Sequence, residues 1–127
     1  MFDLDQQTEE LARRVIGAAI EVHKTLGPGF LESAYQNTLS IELEERGIPH
    51  QVEAPISILY KGKPVGGGRS DVIALDRIVL ELKTVEAITN LHRAQLISYL
   101  KATNIKLGYI FNYNSVVLKD GMQRIIN

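Results

Sequence analysis

The 127-residue sequence contains no cysteine. Disulfide staples, thiolate zinc sites and cysteine nucleophiles are therefore excluded. A chain without cysteine suits a reducing cytoplasm, and a cytoplasmic protein is the expectation. The sequence also lacks any apolar run near the ~20 residues that a membrane helix needs, so no membrane partner is expected. Its first ten residues, MFDLDQQTEE, are acidic and polar. A secretory signal begins basic and continues apolar, so none is expected here. Internal repeats, low-complexity segments and linkers are missing as well. So is a basic excess, since the net charge is −1. That excludes a non-specific DNA coat protein.

What is present is ordinary for a globular chain, with 45% hydrophobic and 23% charged residues. The length predicts one domain spanning 1–127. At this size about two-thirds of the unfolded surface can be buried, enough for a core without staples. Charge is unevenly distributed. Residues 1–64 carry 6 basic and 10 acidic groups, and residues 65–127 carry 8 and 5. Only the second half suits a polyanion, although uneven surface charge can also lack meaning.

Hydrophobic spacing predicts a helix over about 4–26, with Leu4, Leu11, Val15, Ala19, Val22 and Leu26 on one face. It ends at Gly27-Pro28-Gly29. A second helix is predicted over about 30–46, with the stripe Leu31, Tyr35, Leu39, Leu43 and a cap at Gly47. The period then becomes two. Val52, Ala54, Ile56, Ile58 and Tyr60 alternate as a strand, and Pro55 makes it an edge or bulged strand. Lys61-Gly62-Lys63 reads as a turn and Gly66-Gly67-Gly68 as a flexible corner. Strands follow at about 69–75 and 77–84. A helix spans about 91–103, capped by Asn90 or Thr89. Last strands lie near 107–113 and 115–119, with 122–126 as an extension of the final one. The order ααβββαββ implies an α/β (α+β) mixed sheet covered on both faces.

The chemistry concentrates in the central hairpin. Folded symmetrically about Asp76, it places Asp71 opposite Glu81. Arg69, Asp71, Ile73, Val79, Glu81 and Lys83 share one face, while Val72, Ala74, Ile78, Leu80 and Leu82 form the core face. Facing Cβ atoms lie about 4.5–5.5 Å apart. At an effective dielectric near 20 two such carboxylates repel by about 3 kcal/mol. A cation between them removes that conflict, and an all-oxygen pair suits Mg²⁺. A salt-bridge ladder through Arg69 and Lys83 is the competing reading. Glu32 sits in the first turn of the second helix, either serving the helix dipole or facing the same cleft. Tyr35 follows on the same face. His92, Gln95 and Tyr99 form a polar stripe on the third helix, which is either its wet face or part of the site. His23, near the end of the first helix, has a dipole or packing role.

The motif Gly29-Phe30-Leu31-Glu32-Ser33-Ala34-Tyr35 resembles the pattern of the small bacterial GxxExxY protein family. The stretches IGAAIEVHKTLGPG, YKGK, RSD, VLELKTVE, LHRAQLISYLKAT and LGYIFNY extend the resemblance over about 11–126. That family is similar to the PD-(D/E)xK nuclease superfamily, with its restriction-endonuclease-like fold. The resemblance implies a metal-dependent nuclease. Asp71 and Glu81 would bind Mg²⁺ or Mn²⁺, with Glu32 and the Leu82 backbone carbonyl. Lys83 would be catalytic, as would Gln95 and Tyr99 of a QxxxY element. Arg69, Arg93 and Lys101 would contact a DNA or RNA backbone, with His92 and Tyr35 behind the site. Ser70 stands where the superfamily has Pro, and Gly66–Gly68 where it has bulkier residues. A module of the same fold that binds a protein or nucleic-acid partner without catalysis is the alternative, as is an enzyme acting on another phosphate ester. The edge strand also suggests a homodimer.

Overall fold

The computed structural model describes residues 4–127, so the first three residues of the polar N-terminal stretch lie outside it. Helix α1 spans Gln6–Leu26 and α2 spans Glu32–Glu45. Strands follow as β1 (His50–Tyr60), β2 (Lys63–Ala74) and β3 (Ile78–Lys83). Helix α3 (Asn90–Thr103) leads to β4 (Leu107–Asn112) and β5 (Met122–Ile126). The five strands form one sheet in the order β1-β2-β3-β4-β5. Only β3 and β4 run parallel, joined by the α3 crossover.

Local chemistry places the helix ends. Asp5 caps α1 by accepting the Thr8 amide at 2.7 Å. Helix α2 stops at Gly47, whose φ of +69° suits glycine. The amides of Ile48 and Gly47 there return to the carbonyls of Leu43 and Glu44, a Schellman closure. Thr89 caps α3.

Two apolar layers sandwich the sheet. On one face Leu11, Val15, Ala19 and Val22 of α1 meet Tyr35, Leu39 and Leu43 of α2 above Val72, Leu80 and Leu82. On the other face Leu96, Tyr99 and Leu100 of α3 cover Ala54, Ile56, Ile73, Val79 and Ile110. The two predicted faces of the central hairpin are these two layers. Its turn at Leu75 and Asp76 has φ near +50° at both residues, and the register pairs Val72 with Leu80 and Ala74 with Ile78. That is the predicted symmetry.

Three expectations need correction. Leu31 is not on the buried stripe of α2, because it precedes the helix and is 79% exposed. Gly66–Gly68 is not a corner. It lies inside β2, which pairs with β1 down to Tyr60 and Lys63. Glycine there answers to close approach, since a Cβ on Gly67 would collide with the Ile56 carbonyl oxygen. Residues 115–119 are not a strand. Val116 and Val117 are exposed, a 3₁₀ turn spans Leu118–Gly121, and β4 takes its partner from Met122–Ile126. Strand β1 is an edge, as Pro55 leads one to expect, and it also carries a bulge between Ile58 and Leu59.

Candidate active site: a carboxylate–lysine cleft

The hairpin ladder stops one pair short of Asp71 and Glu81. There the side chains take over from the backbone. The Asp71 amide donates to Glu81 Oε2 at 3.1 Å, and Asp71 Oδ2 accepts the Leu82 amide at 2.7 Å. Each acid thus holds the opposite strand. On the other side of β2, the Glu53–Asp71 pair is missing from a register that otherwise runs unbroken from His50 to Ile58, and Glu53 sits at φ +48°. The β1–β2 ribbon kinks at the site. Strained backbone of this kind gathers at functional positions.

Three carboxyl groups are held above their ordinary range. Glu81 is 3% exposed, and burial, then the Asp71 charge, pushes its pKa up to about 7. Burial raises Asp71, with a further push from Glu53 and opposition from the Leu82 amide and Lys83. Burial and then the Asp71 charge raise Glu32, again opposed by Lys83. Lys83 is thus the ammonium that faces all three. Its Nζ donates to Gln95 Oε1 at 3.0 Å.

Helix α3 brings Gln95 and Tyr99 to the cleft from above the sheet. Burial and then the Glu81 charge raise the Tyr99 hydroxyl, opposed by the neighbouring Gln95 side chain and Arg69 backbone. Helix α2 brings Glu32. The first turn of α2 starts at Glu32 because Tyr35 pins the preceding loop. Its hydroxyl donates to the Gly27 carbonyl at 2.5 Å and accepts the Phe30 amide at 3.2 Å.

The structure therefore gathers Glu32, Asp71, Glu81, Lys83, Gln95 and Tyr99. Tyr35 lies elsewhere, fully buried and stacked on Tyr113 at 4.4 Å. The His92 Nδ1 accepts the Thr89 amide at 3.0 Å, so this ring closes the α3 capping box. Arg93 is engaged by Gln123 Oε1 and Asn90 Oδ1. Lys101 is exposed, about 200° round the helix from Tyr99. Arg69 is exposed beside Ser70 at the ribbon base. His23 bonds the Ser115 carbonyl and stacks on Tyr113, the packing role expected of it.

Four contributors carry little or no signal in the sequence. Gln36, one helical turn after Glu32, donates to the Asp71 carbonyl at 3.2 Å. Its i, i+4 spacing from Glu32 is the signal that could have found it. Ser70 is fully buried, and its hydroxyl reaches the carbonyls of Val72 and Leu80. Asn112 ties the chain after β3, receiving the Val85 amide and donating to the Val85 carbonyl. Glu53 has no signal, because an acid on an alternating edge strand reads as a solvated residue.

Among the described residues, no three His, Cys, Asp or Glu side chains converge closely enough to hold a metal alone. Asp71 and Glu81 do converge. A strand residue turns its amide and carbonyl to the same side, so the Leu82 carbonyl faces the edge where its amide meets Asp71. Two carboxylates, a carbonyl and waters make an all-oxygen set that fits a hard divalent ion, which keeps several waters.

A family model described as the PD-(D/E)XK nuclease superfamily matches residues 9–125. Among solved structures, a chain described as "Crystal structure of SSO0001" superposes with a TM-score of 0.56 at 19% identity. The match covers 95% of the present chain and 60% of that one, so the chain spans about three-fifths of that protein's length. At this identity the likeness is one of fold. No curated protein matches the sequence.

Proposed function

This chain belongs to the PD-(D/E)XK nuclease superfamily, and from that premise we propose that it is a divalent-metal-dependent nuclease hydrolysing phosphodiester bonds of DNA or RNA. The observation that carries the reading is the convergence of Asp71, Glu81 and Lys83, with three carboxyl groups raised around one ammonium. Negative charge there is under-compensated, and a cation relieves it.

The Asp71 and Glu81 carboxylates and the Leu82 carbonyl would hold Mg²⁺ or Mn²⁺, with Glu32 reaching it through a water. When bound, such an ion supplies Lewis-acid polarisation of the phosphoryl oxygen and a water of lowered pKa. The chain's own residues do the rest. Lys83 offers its ammonium to a non-bridging phosphate oxygen, where charge builds in the transition state. Gln95 restrains that ammonium through the 3.0 Å bond. Tyr99 lies beside Gln95 and packs its hydroxyl against Gly68 of β2. Arg69 meets a neighbouring phosphate at the mouth of the cleft.

The test is a cleavage panel. Labelled single- and double-stranded DNA and RNA are incubated with Mg²⁺, Mn²⁺ or EDTA. Wild type runs beside Glu81→Gln and Lys83→Met, each with folding checked. Metal-dependent cleavage lost in both variants is expected. Folded wild type that cleaves nothing would leave the binding module as the reading.

A further inference from the structure

Beyond Ile56 and Gly68 the β1–β2 ribbon leaves the body of the protein. Every residue from 57 to 67 is exposed, and β2 meets β3 only over Val72–Ala74. A two-stranded ribbon without a core is marginal in water. This one also exposes Ile58, Leu59, Tyr60 and Val65. Exposed apolar side chains grouped on a protrusion point to a partner.

Charge identifies the partner. Between Ala54 and Ser70 the sequence carries Lys61, Lys63 and Arg69 and no carboxylate, in a chain whose net charge is −1. The ribbon is the positively charged limb of a slightly acidic protein. Gly66, Gly67 and Gly68 floor an open trough of about 550 Å³ beside Pro55 and Arg69. Of the three, Gly66 has open space where a Cβ would stand, so the backbone there admits close approach of another chain. The trough ends at Arg69, two positions before Asp71 along β2. At the tip, the Lys61 ammonium lies 5.4 Å from the Tyr60 ring centroid. An aromatic plane beside a cation is suited to a base and its phosphate. A second copy of the chain fits less well. Symmetric pairing would bring like-charged arms together, and Pro55 removes a donor from the β1 edge.

We propose that residues 57–67 form an arm that grips the nucleic-acid backbone on one side of the scissile phosphate, with Lys61 and Lys63 as its phosphate contacts and Arg69 leading into the cleft. This rests on the nuclease reading of the cleft. At about 3.3 Å per residue the tip stands roughly 30 Å from Asp71. The arm therefore engages DNA about 9 bp from the cut, at about 3.4 Å per base pair.

The test is fluorescence anisotropy of the full chain in EDTA with labelled DNA duplexes of about 6 and about 30 bp, and with the single strand of the longer one. Wild type is compared with Lys61→Ala/Lys63→Ala, whose exposed side chains leave melting unchanged. Wild type is expected to gain affinity with length. The variant should lose about tenfold on the long duplex near 0.1 M salt, and its slope of log K against log salt should fall by about 2. Equal affinity and slope would overturn the arm, as would wild type that binds no DNA. A variant that binds DNA normally but changes sedimentation would overturn it in favour of a dimer contact. If the arm variant loses DNA affinity while wild type cleaves nothing, the arm stands and the nuclease reading falls. If wild type cleaves and the variant binds equally, the reverse holds.

Discussion

Asp71 and Glu81 hold each other's strands. The Asp71 amide donates to the Glu81 carboxylate, and the Asp71 carboxylate accepts from the amide that follows Glu81. Two acids that would repel across an ordinary ladder are fixed by backbone donors instead. Fixing them at the β2–β3 fork makes the cleft, and it sets the energetic conflict from which the first two predictions follow.

Glu81 makes the metal-free protein less stable as pH rises. Its folded pKa of about 7 lies above the ordinary 4.5. Between those values the folded state binds more protons than the unfolded state. Stability therefore falls as pH increases through that window, by about 3 kcal/mol for this group. Asp71 and Glu32 are raised too and act in the same direction. Melting in EDTA should drop from pH 5 to pH 7.5, with the drop much reduced in Glu81→Gln. An equal drop in that variant would place its origin elsewhere.

Divalent ions should reverse this penalty. With Mg²⁺ or Mn²⁺ at about 100 times its Kd, wild type should gain about 2.7 kcal/mol. Asp71→Asn/Glu81→Gln should gain little. Calorimetric unfolding at pH 7.5 reads the difference. Equal gains in both proteins would mean that the ion binds away from the cleft.

Lys83 should matter to chemistry and to titration together. Lys83→Met is expected to lower cleavage by at least about 100-fold. Because Lys83 restrains the pKa of Glu32, Asp71 and Glu81, its loss should also move the acid limb of the pH–rate profile upward. Gln95→Ala, which frees the ammonium from its 3.0 Å partner, should cost about 10- to 100-fold through misplacement. A pH–rate profile for each variant checks both points. An unshifted acid limb in Lys83→Met would remove Lys83 from the carboxylate cluster.

Gly68 and Tyr99 should behave as a coupled pair. A Cβ on Gly68 would lie 2.5 Å from the Tyr99 hydroxyl and 3.3 Å from the ring carbon bearing it. Gly68→Ala should therefore destabilise by about 1–3 kcal/mol through overpacking. Tyr99→Phe removes the colliding oxygen, so Gly68→Ala/Tyr99→Phe should be more stable than the sum of the single changes allows. Denaturant unfolding of the four proteins closes the cycle. Strict additivity would break the proposed contact.

Much of this protein is set locally and is legible in its sequence. The stripes of α1 and α2 repeat at three- and four-residue steps, so their buried faces follow from helix geometry. The β2–β3 register follows from a short symmetric turn, which is why the meeting of Asp71 and Glu81 is derivable from the order of residues alone. The family resemblance implies that Glu32, Lys83, Gln95 and Tyr99 join them, and the structure places these four around the same cleft.

Other features depend on chain segments far apart in sequence, which local pattern does not encode. Gly66–Gly68 carries a turn-like composition, yet pairing with β1 and the approach of Tyr99 make it strand. Val116-Val117-Leu118 has the side chains of a strand, but β4 has one free edge and Met122–Ile126 takes it. Tyr35 shares a helix face with Glu32, but the stack on Tyr113 draws it into the core. The kink that brings Glu53 near Asp71, and the raised Glu81 carboxyl itself, exist only once three strands and two helices have closed over the cleft. Residue types and short-range spacing determined which groups this protein would bring to bear. Burial and non-local pairing decided where they stand and how they are charged, because desolvation and ladder formation belong to the assembled sheet rather than to any one segment.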